Sequence, residues 1–224
     1  MTSAAKKLSN TSRAVADLRA LIFAGELPAG SDHLESELAV RLGMSRTPVR
    51  EAALLLESQG LVALRPRKGV RILPVSADDM REIYDVLTEL ESLAAAKAAE
   101  RRLSAQAVAP LAASLARMED ALAANRLEDW AEADDAFHLE LVRLSGNARL
   151  AAIASLMTDQ VRRARAMTLH IRPRPDGSNQ DHRAVLDAIQ AGDAARASDL
   201  HRAHRQRAKE MLVALLERHK LSQL

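Results

Sequence analysis

The stretch Ser45-Arg46-Thr47-Pro48-Val49-Arg50-Glu51-Ala52 decides how this chain is read. It follows a short segment with apolar residues at helical spacing, Leu34, Leu38, Ala39 and Leu42, and a break at Gly43. Ser45 is placed to cap a new helix by accepting from backbone N–H groups two or three residues on. Pro48 falls in that helix's first turn, where a missing N–H costs little. Leu42, Val49, Ala53 and Leu56 are spaced to pack the two helices together. Arg46, Thr47 and Arg50 are then left pointing outward near the second helix's start. A helix, a tight glycine turn and a helix opening with arginine and threonine form a helix-turn-helix pattern. Exposed arginines are ordinary on a surface helix. Here, however, their forks can chelate guanine edges or clamp phosphates, which the helix N-terminus also favours.

Two β-type runs follow, Gly60-Leu61-Val62-Ala63-Leu64 and Val70-Arg71-Ile72-Leu73, joined by the basic tip Arg65-Pro66-Arg67-Lys68-Gly69. A strand pair after a helix-turn-helix is a winged arrangement. With Pro28-Ala29-Gly30, Leu34-Glu35, Glu37-Leu38-Ala39 and Leu42-Gly43, this pattern resembles the winged-helix domain of GntR-family transcription regulators over roughly residues 10–73. The resemblance implies DNA contacts from Ser45, Arg46, Thr47 and Arg50, and groove or phosphate contacts from Arg67, Lys68 and Gly69. Ser36 departs from the pattern, standing where some members carry a DNA-contacting arginine.

Composition agrees with a helical protein. Apolar residues make up 48% of the chain and aromatic ones 2%, so alanine and leucine must fill the core. The absence of cysteine excludes disulfides and thiolate chemistry. No apolar run approaches the ~20 residues of a membrane span, and residues 1–10 lack a signal-peptide core. We therefore expect a cytoplasmic protein with a disordered N-terminus over 1–10. The net charge is +2, but residues 1–75 hold 11 Lys/Arg against 7 Asp/Glu and the remainder 21 against 23. The basic excess thus lies in the part expected to meet phosphate.

The spacing predicts a helix over 13–24, ended by Gly25, and a turn at Leu27-Pro28-Ala29-Gly30. His33 is read as a loop or capping residue. The winged helix-turn-helix spans 11–74. From 76 to 224 the pattern is wholly helical, an antiparallel bundle of six helices with seven as the alternative. Ser76 and the acids after it start a helix over 77–101, with Met80, Ile83, Val86/Leu87, Leu90 and Leu93/Ala94 on one face. Helices over 104–125, 128–144, 148–170 and 179–191 follow, and a last one reaches about 220. Pro110 lies within the second of these, implying a kink or a late start. Gly146 and Gly192 are terminators, and residues 172–178 form the long polar break.

Asp134 and His138, four apart, share a helix face that points inward. His182 is in phase with Val185, Leu186 and Ile189, and His204 with Leu200, Ala208 and Met211. Such histidines are usually satisfied core residues. Three imidazoles and a carboxylate from three helices also suit a divalent ion such as Zn, Ni or Mn. Asp134-Asp135-Ala136-Phe137-His138, Gly146-Asn147, Asp181-His182 and Gly192-Asp193 with His204 resemble the helical FCD ligand-binding domain of the FadR-type branch of the GntR family. The resemblance implies Asp134, His138, His182 and His204 as metal ligands, and an effector carboxylate at the open coordination positions. Gln160, Arg163 and His201 are candidates for lining the effector cavity. Asp135 is one residue off the helical phase, and His170 and His219 are read as helix-end residues. Leu87 stands where related sequences often place an arginine.

The function expected is that of a homodimeric repressor that binds a palindromic double-stranded DNA operator and responds to a small organic acid, and not an enzyme. The alternatives are a metal-dependent hydrolase or hydratase fused to a DNA-binding domain, and an architectural DNA-binder with an inert bundle.

Overall fold

The computed structural model describes residues 9–219 and divides the chain into two units, one up to Val75 and one from Ser76 onward. The expected disorder over 1–10 falls almost wholly outside the described residues. Within them Ser9 caps α1 (Asn10–Phe23), its hydroxyl accepting from the Ser12 N–H at 3.0 Å.

In the first unit α1 is followed by β1 (Asp32–His33), α2 (Glu35–Leu42), α3 (Arg46–Ser58), β2 (Val62–Arg65) and β3 (Gly69–Ile72). The strands form an antiparallel sheet in the order β1-β3-β2, with Val62 opposite Ile72 and Arg65 opposite Gly69. Leu18, Leu38, Val49, Ala53, Leu56 and Ile72 form the core that holds the helices on the sheet. Gly43 takes the left-handed conformation that ends α2 (φ +62°), as its place in the pattern requires. Glu57 of α3 accepts the Leu64 N–H at 2.6 Å and ties the hairpin to the helix.

Two expectations are corrected here. Ser45 occupies the N-cap position of α3, but its side chain makes no capping hydrogen bond. His33 is not a loop residue: it pairs with Val70 in β1, its ring 2.7 Å from the Ser31 hydroxyl. A two-residue strand has too few positions for alternation to show in sequence.

The second unit comprises α4 (Ala77–Glu100), α5 (Ala105–Ala123), α6 (Leu127–Leu144), α7 (Ala148–Thr168), α8 (Asp176–Ala191) and α9 (Ala194–His219). The long helices α4 and α9 pack together, and α4 also touches α6, α7 and α8. Leu111, Leu115, Met118, Phe137, Leu141 and Val185 are wholly buried between them. Ser76 caps α4 through the Asp79 N–H at 3.0 Å, and Asn147 caps α7 through the N–H groups of Arg149 and Leu150, both at 3.1 Å.

Three details differ from the sequence pattern. α5 does not start late but carries Pro110 in its second turn, its carbonyl accepting from the Ser114 hydroxyl at 3.1 Å. α8 opens at Asp176, three residues before the expected 179, because Asp176 suits a first turn and Gly177 meets no steric demand there. On α4, Leu87 and Ala94 face inward whereas Val86 and Leu93 are exposed.

Gly69, one of the residues expected at the DNA surface, has a steric role. Its φ is +82°, and a Cβ there would lie 2.2 Å from the His33 carbonyl oxygen. Gly69→Ala is expected to separate β1 from β3 at a cost of at least about 1 kcal/mol, the strain of the left-handed conformation alone. Faster hydrogen exchange of the Ile72 N–H, which donates to Ser31 O at 2.9 Å, is the readout. An unchanged rate would reject the close approach.

Candidate functional site

The first unit presents an open groove bounded by α2, the start of α3 and the hairpin, lined by Arg46, Arg50, Arg65, Arg67, Ser36 and Glu35. The Arg46 and Arg50 side chains are 72% and 71% exposed, and each lies at long ion-pair distance from Glu35, 3.8 and 3.9 Å. Arg67 is held at φ +62° in the hairpin tip, a conformation uncommon outside glycine. Ser45, Thr47 and Lys68 are exposed but do not line this groove. This surface offers several forks to phosphates and base edges without burying any of them.

The second unit encloses a charged core. Four histidines are buried together: His138 from α6, His182 from α8, and His201 and His204 from α9. Nitrogens of His138, His182 and His204 all lie within 4.8 Å of one another. The Nε2 atoms of His138 and His182 are 3.4 Å apart, close to the roughly 3.3 Å expected of two imidazoles on one tetrahedral zinc-sized ion. Asp134 is 1% exposed; its Oδ1 is 3.4 Å from His182 Nε2 and its Oδ2 3.8 Å from His138 Nε2. Asp134 pairs with Arg165 of α7, and beyond that ion pair neither carboxylate oxygen has a hydrogen-bond partner among the described residues.

Two of the far nitrogens are hydrogen-bonded and the third faces a carboxylate. His182 Nδ1 donates to the Ser178 carbonyl at 2.6 Å, and His204 Nδ1 to Asp181 at 3.2 Å. His138 Nδ1 lies 3.0 Å from Glu91 Oε2. Each of the three imidazoles thus turns Nε2 toward the centre, and the donor set fits a divalent ion. Burial pushes the His182 imidazole well below its ordinary value, with the neighbouring His204 and His138 adding to it. Burial also takes His204 down to about 3, against the pull of Asp181. Neutral imidazoles are the form that ligates metal.

Glu91 of α4 forms a second layer. It accepts from His201 Nε2 at 2.9 Å and has Arg205 Nε at 3.3 Å. Burial alone would raise its carboxyl, but Arg205, His138 and His201 together hold it well below the usual carboxylate range. A cavity of about 300 Å³ opens beside this cluster, lined by Asp134, His138 and His204 on one side and by Trp130 and several arginines elsewhere.

Two family models match the chain: "Bacterial regulatory proteins, gntR family" over residues 10–72 and the FCD domain over residues 82–207. The chain belongs to the GntR family. A helix-turn-helix regulator from an unstable DNA locus of Streptomyces ambofaciens is 34% identical over 192 residues, covering 84% of this chain and 78% of its own. The "Probable D-xylose utilization operon transcriptional repressor" of Paenarthrobacter nicotinovorans is 32% identical over 197 residues, covering 86% and 85%. The solved structure of E. coli McbR/YncC shares the fold, with a TM-score of 0.78 at 24% identity over 93% of this chain and 99% of that one. Both matched domains and the relatives are those of a transcription regulator, not an enzyme. Regulators of this family bind DNA and small-molecule effectors.

In this GntR regulator three of the four residues expected at the metal, His138, His182 and His204, bring ring nitrogens within 4.8 Å of one another, with Asp134 3.4 Å from His182 and 3.8 Å from His138, whereas the expected effector contacts do not line the cavity. Gln160, Arg163 and His201 are absent from the cavity lining. The α7 arginine that faces the cavity is Arg165, two residues on from Arg163, and His201 instead bonds Glu91. Asp135 pairs with Arg162 at 3.0 Å and Arg165 at 3.2 Å. Leu87 is buried in the core and does not reach the cavity. His170 lies past the end of α7, 3.1 Å from Glu128.

Glu91 and Arg205 were not singled out, although a signal existed. Glu91 sits in helical phase with the buried Leu87, Ala94 and Ala98, so it is an acid inside an apolar stripe. Arg205 is in phase with His201 on α9. A charge on an inward face demands a partner on another helix, and that demand is readable before the structure is known.

For the metal-free protein a pH dependence follows. Burial puts folded His201 at about 4, its bond to Glu91 opposing, while an unfolded histidine protonates near 6.5. Between those values the unfolded chain binds more protons, so stability is full above about pH 6.5 and is lost as pH falls toward about 4. Denaturant titrations of chelator-treated protein across that window are expected to show a falling midpoint. A flat midpoint would contradict the buried neutral imidazoles.

Proposed function

We propose that this GntR regulator is a repressor that binds a palindromic operator as a homodimer and is released by a small organic acid. The acid is bound in the FCD domain beside a divalent metal ion held by Asp134, His138, His182 and His204. The observation that carries this reading is the cavity of about 300 Å³, a volume at the small end of ligand sites, which joins imidazole nitrogens to arginines. An inert dimerisation bundle has no use for desolvated charges around a void. FCD domains are often metal-binding. A bound ion would supply a positive centre for the effector's carboxylate.

DNA recognition is assigned to the open groove of the first unit. Arg46, Thr47 and Arg50 at the start of α3 would meet the major groove, and Arg67 and Lys68 of the hairpin the backbone or the adjacent minor groove. The start of α3 lacks a side-chain cap, which leaves its first N–H groups available to a phosphate. Homodimerisation is supported by exposed apolar residues on two neighbouring helices. Val86 and Leu93 on α4 and Ile153 and Leu156 on α7 are 42–47% exposed. An exposed apolar face of this kind suits a second copy, and a dimer presents two reading heads to two half-sites.

Fluorescence anisotropy on DNA from upstream of the protein's own gene tests the first part. Arg46→Ala and Arg50→Ala are each expected to cost about 1–3 kcal/mol of binding, and affinity should fall steeply with salt. Binding unaffected by the double substitution would reject α3 as the reading helix. For the metal, elemental analysis of dialysed protein is expected to find about one ion per chain, lost in His182→Ala. Equal metal content in both proteins would reject the site.

A further inference from the structure

Arginine is unusually frequent around the cavity, and the side chains there are not equivalent. Arg165 pairs with Asp134 and with Asp135, the latter at 3.2 Å. Arg174 has Asp176 at 3.2 Å and Arg207 has Asp181 at 2.6 Å, while Arg205, whose buried Nε and NH2 make no hydrogen bond among the described residues, is charge-paired with Glu91 at 3.3 Å. Arg172 lines the same cavity with no carboxylate paired to it among the described residues. Its Nε and NH2 atoms are buried and have no hydrogen-bond partner among the described residues.

The Arg172 guanidinium is nonetheless held in place. Its Cζ lies 5.0 Å from the centroid of the Trp130 ring. That ring is itself fixed, because the Trp130 N–H donates to Asn179 Oδ1 at 2.8 Å. Pro173 follows directly and restricts the Arg172 backbone to extended conformations, and Pro175 stiffens the same connection. Stacking orients a guanidinium and leaves its N–H edge free. A desolvated cation with an idle fork is costly unless an anion arrives. Asp135, an acid that acts electrostatically on Arg172, is already engaged by Arg162 and Arg165.

We infer that the effector carries two anionic groups, and that Arg172, stacked on Trp130, binds the second of them bidentately. The first group lies at the histidine cluster, so this inference rests on the effector reading proposed above. The ligand class is a small dicarboxylate or a phosphorylated carboxylic acid, since a guanidinium fork matches either group. A monocarboxylic acid of the same length leaves Arg172 uncompensated.

The test uses the full-length, metal-loaded protein, with calorimetry and the emission of Trp130, which is the chain's single tryptophan. Succinate, glutarate and adipate are compared with butyrate, valerate and hexanoate, and phosphoglycolate with glycolate. At least one two-anion acid should bind about tenfold or more tightly than its monoacid partner and shift the Trp130 emission, which the monoacid leaves unchanged. Whether the dicarboxylates or phosphoglycolate do so identifies the second group. Arg172→Gln should remove that advantage and leave monoacid binding as it was, which also reports that the variant is folded. Equal wild-type affinity for diacids and monoacids overturns the role of Arg172 while the organic-acid effector stands. So does an Arg172→Gln variant that weakens both alike. Binding of none of the acids overturns both.

Discussion

Glu91 is a carboxylate with 4% exposure inside a bundle built of alanine and leucine, and such a group persists only where donors surround it. Removing one member of a buried charge cluster typically costs about 3–5 kcal/mol. Here one oxygen gathers His138 from α6 and both His201 and Arg205 from α9. Three helices are therefore held in rotation as well as in contact. Apolar packing alone tolerates small slides of one helix past another. A shared carboxylate oxygen does not, because three distances near 3 Å must hold at once.

The chemistry of the cavity follows from that constraint. With Nδ1 of His138 turned to Glu91, its Nε2 has one direction left, toward His182 and Asp134. The other candidate ligands are supported in the same manner from separate elements. Ser178 O fixes His182, Asp181 fixes His204, and Arg165 takes Oδ2 of Asp134 while Oδ1 stays toward His182. One outer partner on each ligand is what sets tautomer and orientation in metal sites. Asp181 is in turn held by Arg207 at 2.6 Å, so the support reaches the cavity wall.

Much of the architecture was legible because it rests on periodicity and punctuation. Ser76, Gly43 and Gly192 mark helix ends by local hydrogen bonding or by φ, and each does so in the structure. The features that escaped depend on tertiary pairing. β1 exists only because β3 lies beside it, and its two residues carry no pattern. Val86 and Leu93 belong to the same apolar α4 as Leu87 and Ala94, and periodicity does not say which side of a broad stripe meets a neighbour. At the site, histidine phase gave the inner cluster, since inward imidazoles on three helices have one core to meet. Arg163, the expected effector contact, does not line the cavity while Arg165 does, because two residues on a helix differ by more than half a turn. Only the position of α6 decides which arginine reaches Asp134.

Arginine serves this protein in two physical states. At the start of α3 it stands in water, loosely steadied by Glu35, where an unpaired guanidinium costs little and can adapt to a phosphate or a guanine edge. Around the FCD cavity Arg205 is buried and Arg165 and Arg172 are partly so, and a buried guanidinium needs a counter-charge. Arg165, Arg174, Arg205 and Arg207 find it within the fold, but Arg172 is held by an aromatic face and two nearby prolines instead. A protein that only needed a stable core could exchange such a cation for an apolar side chain of similar size. Its placement on the cavity wall, with its N–H edge idle, makes occupancy by an anion favourable in any conformation that keeps this geometry, and unfavourable in one that loses it. A ligand shifts an equilibrium only through a difference of that kind between two states. The connection between α7 and α8 is therefore the element through which an effector's charge would be felt by the rest of the FCD domain.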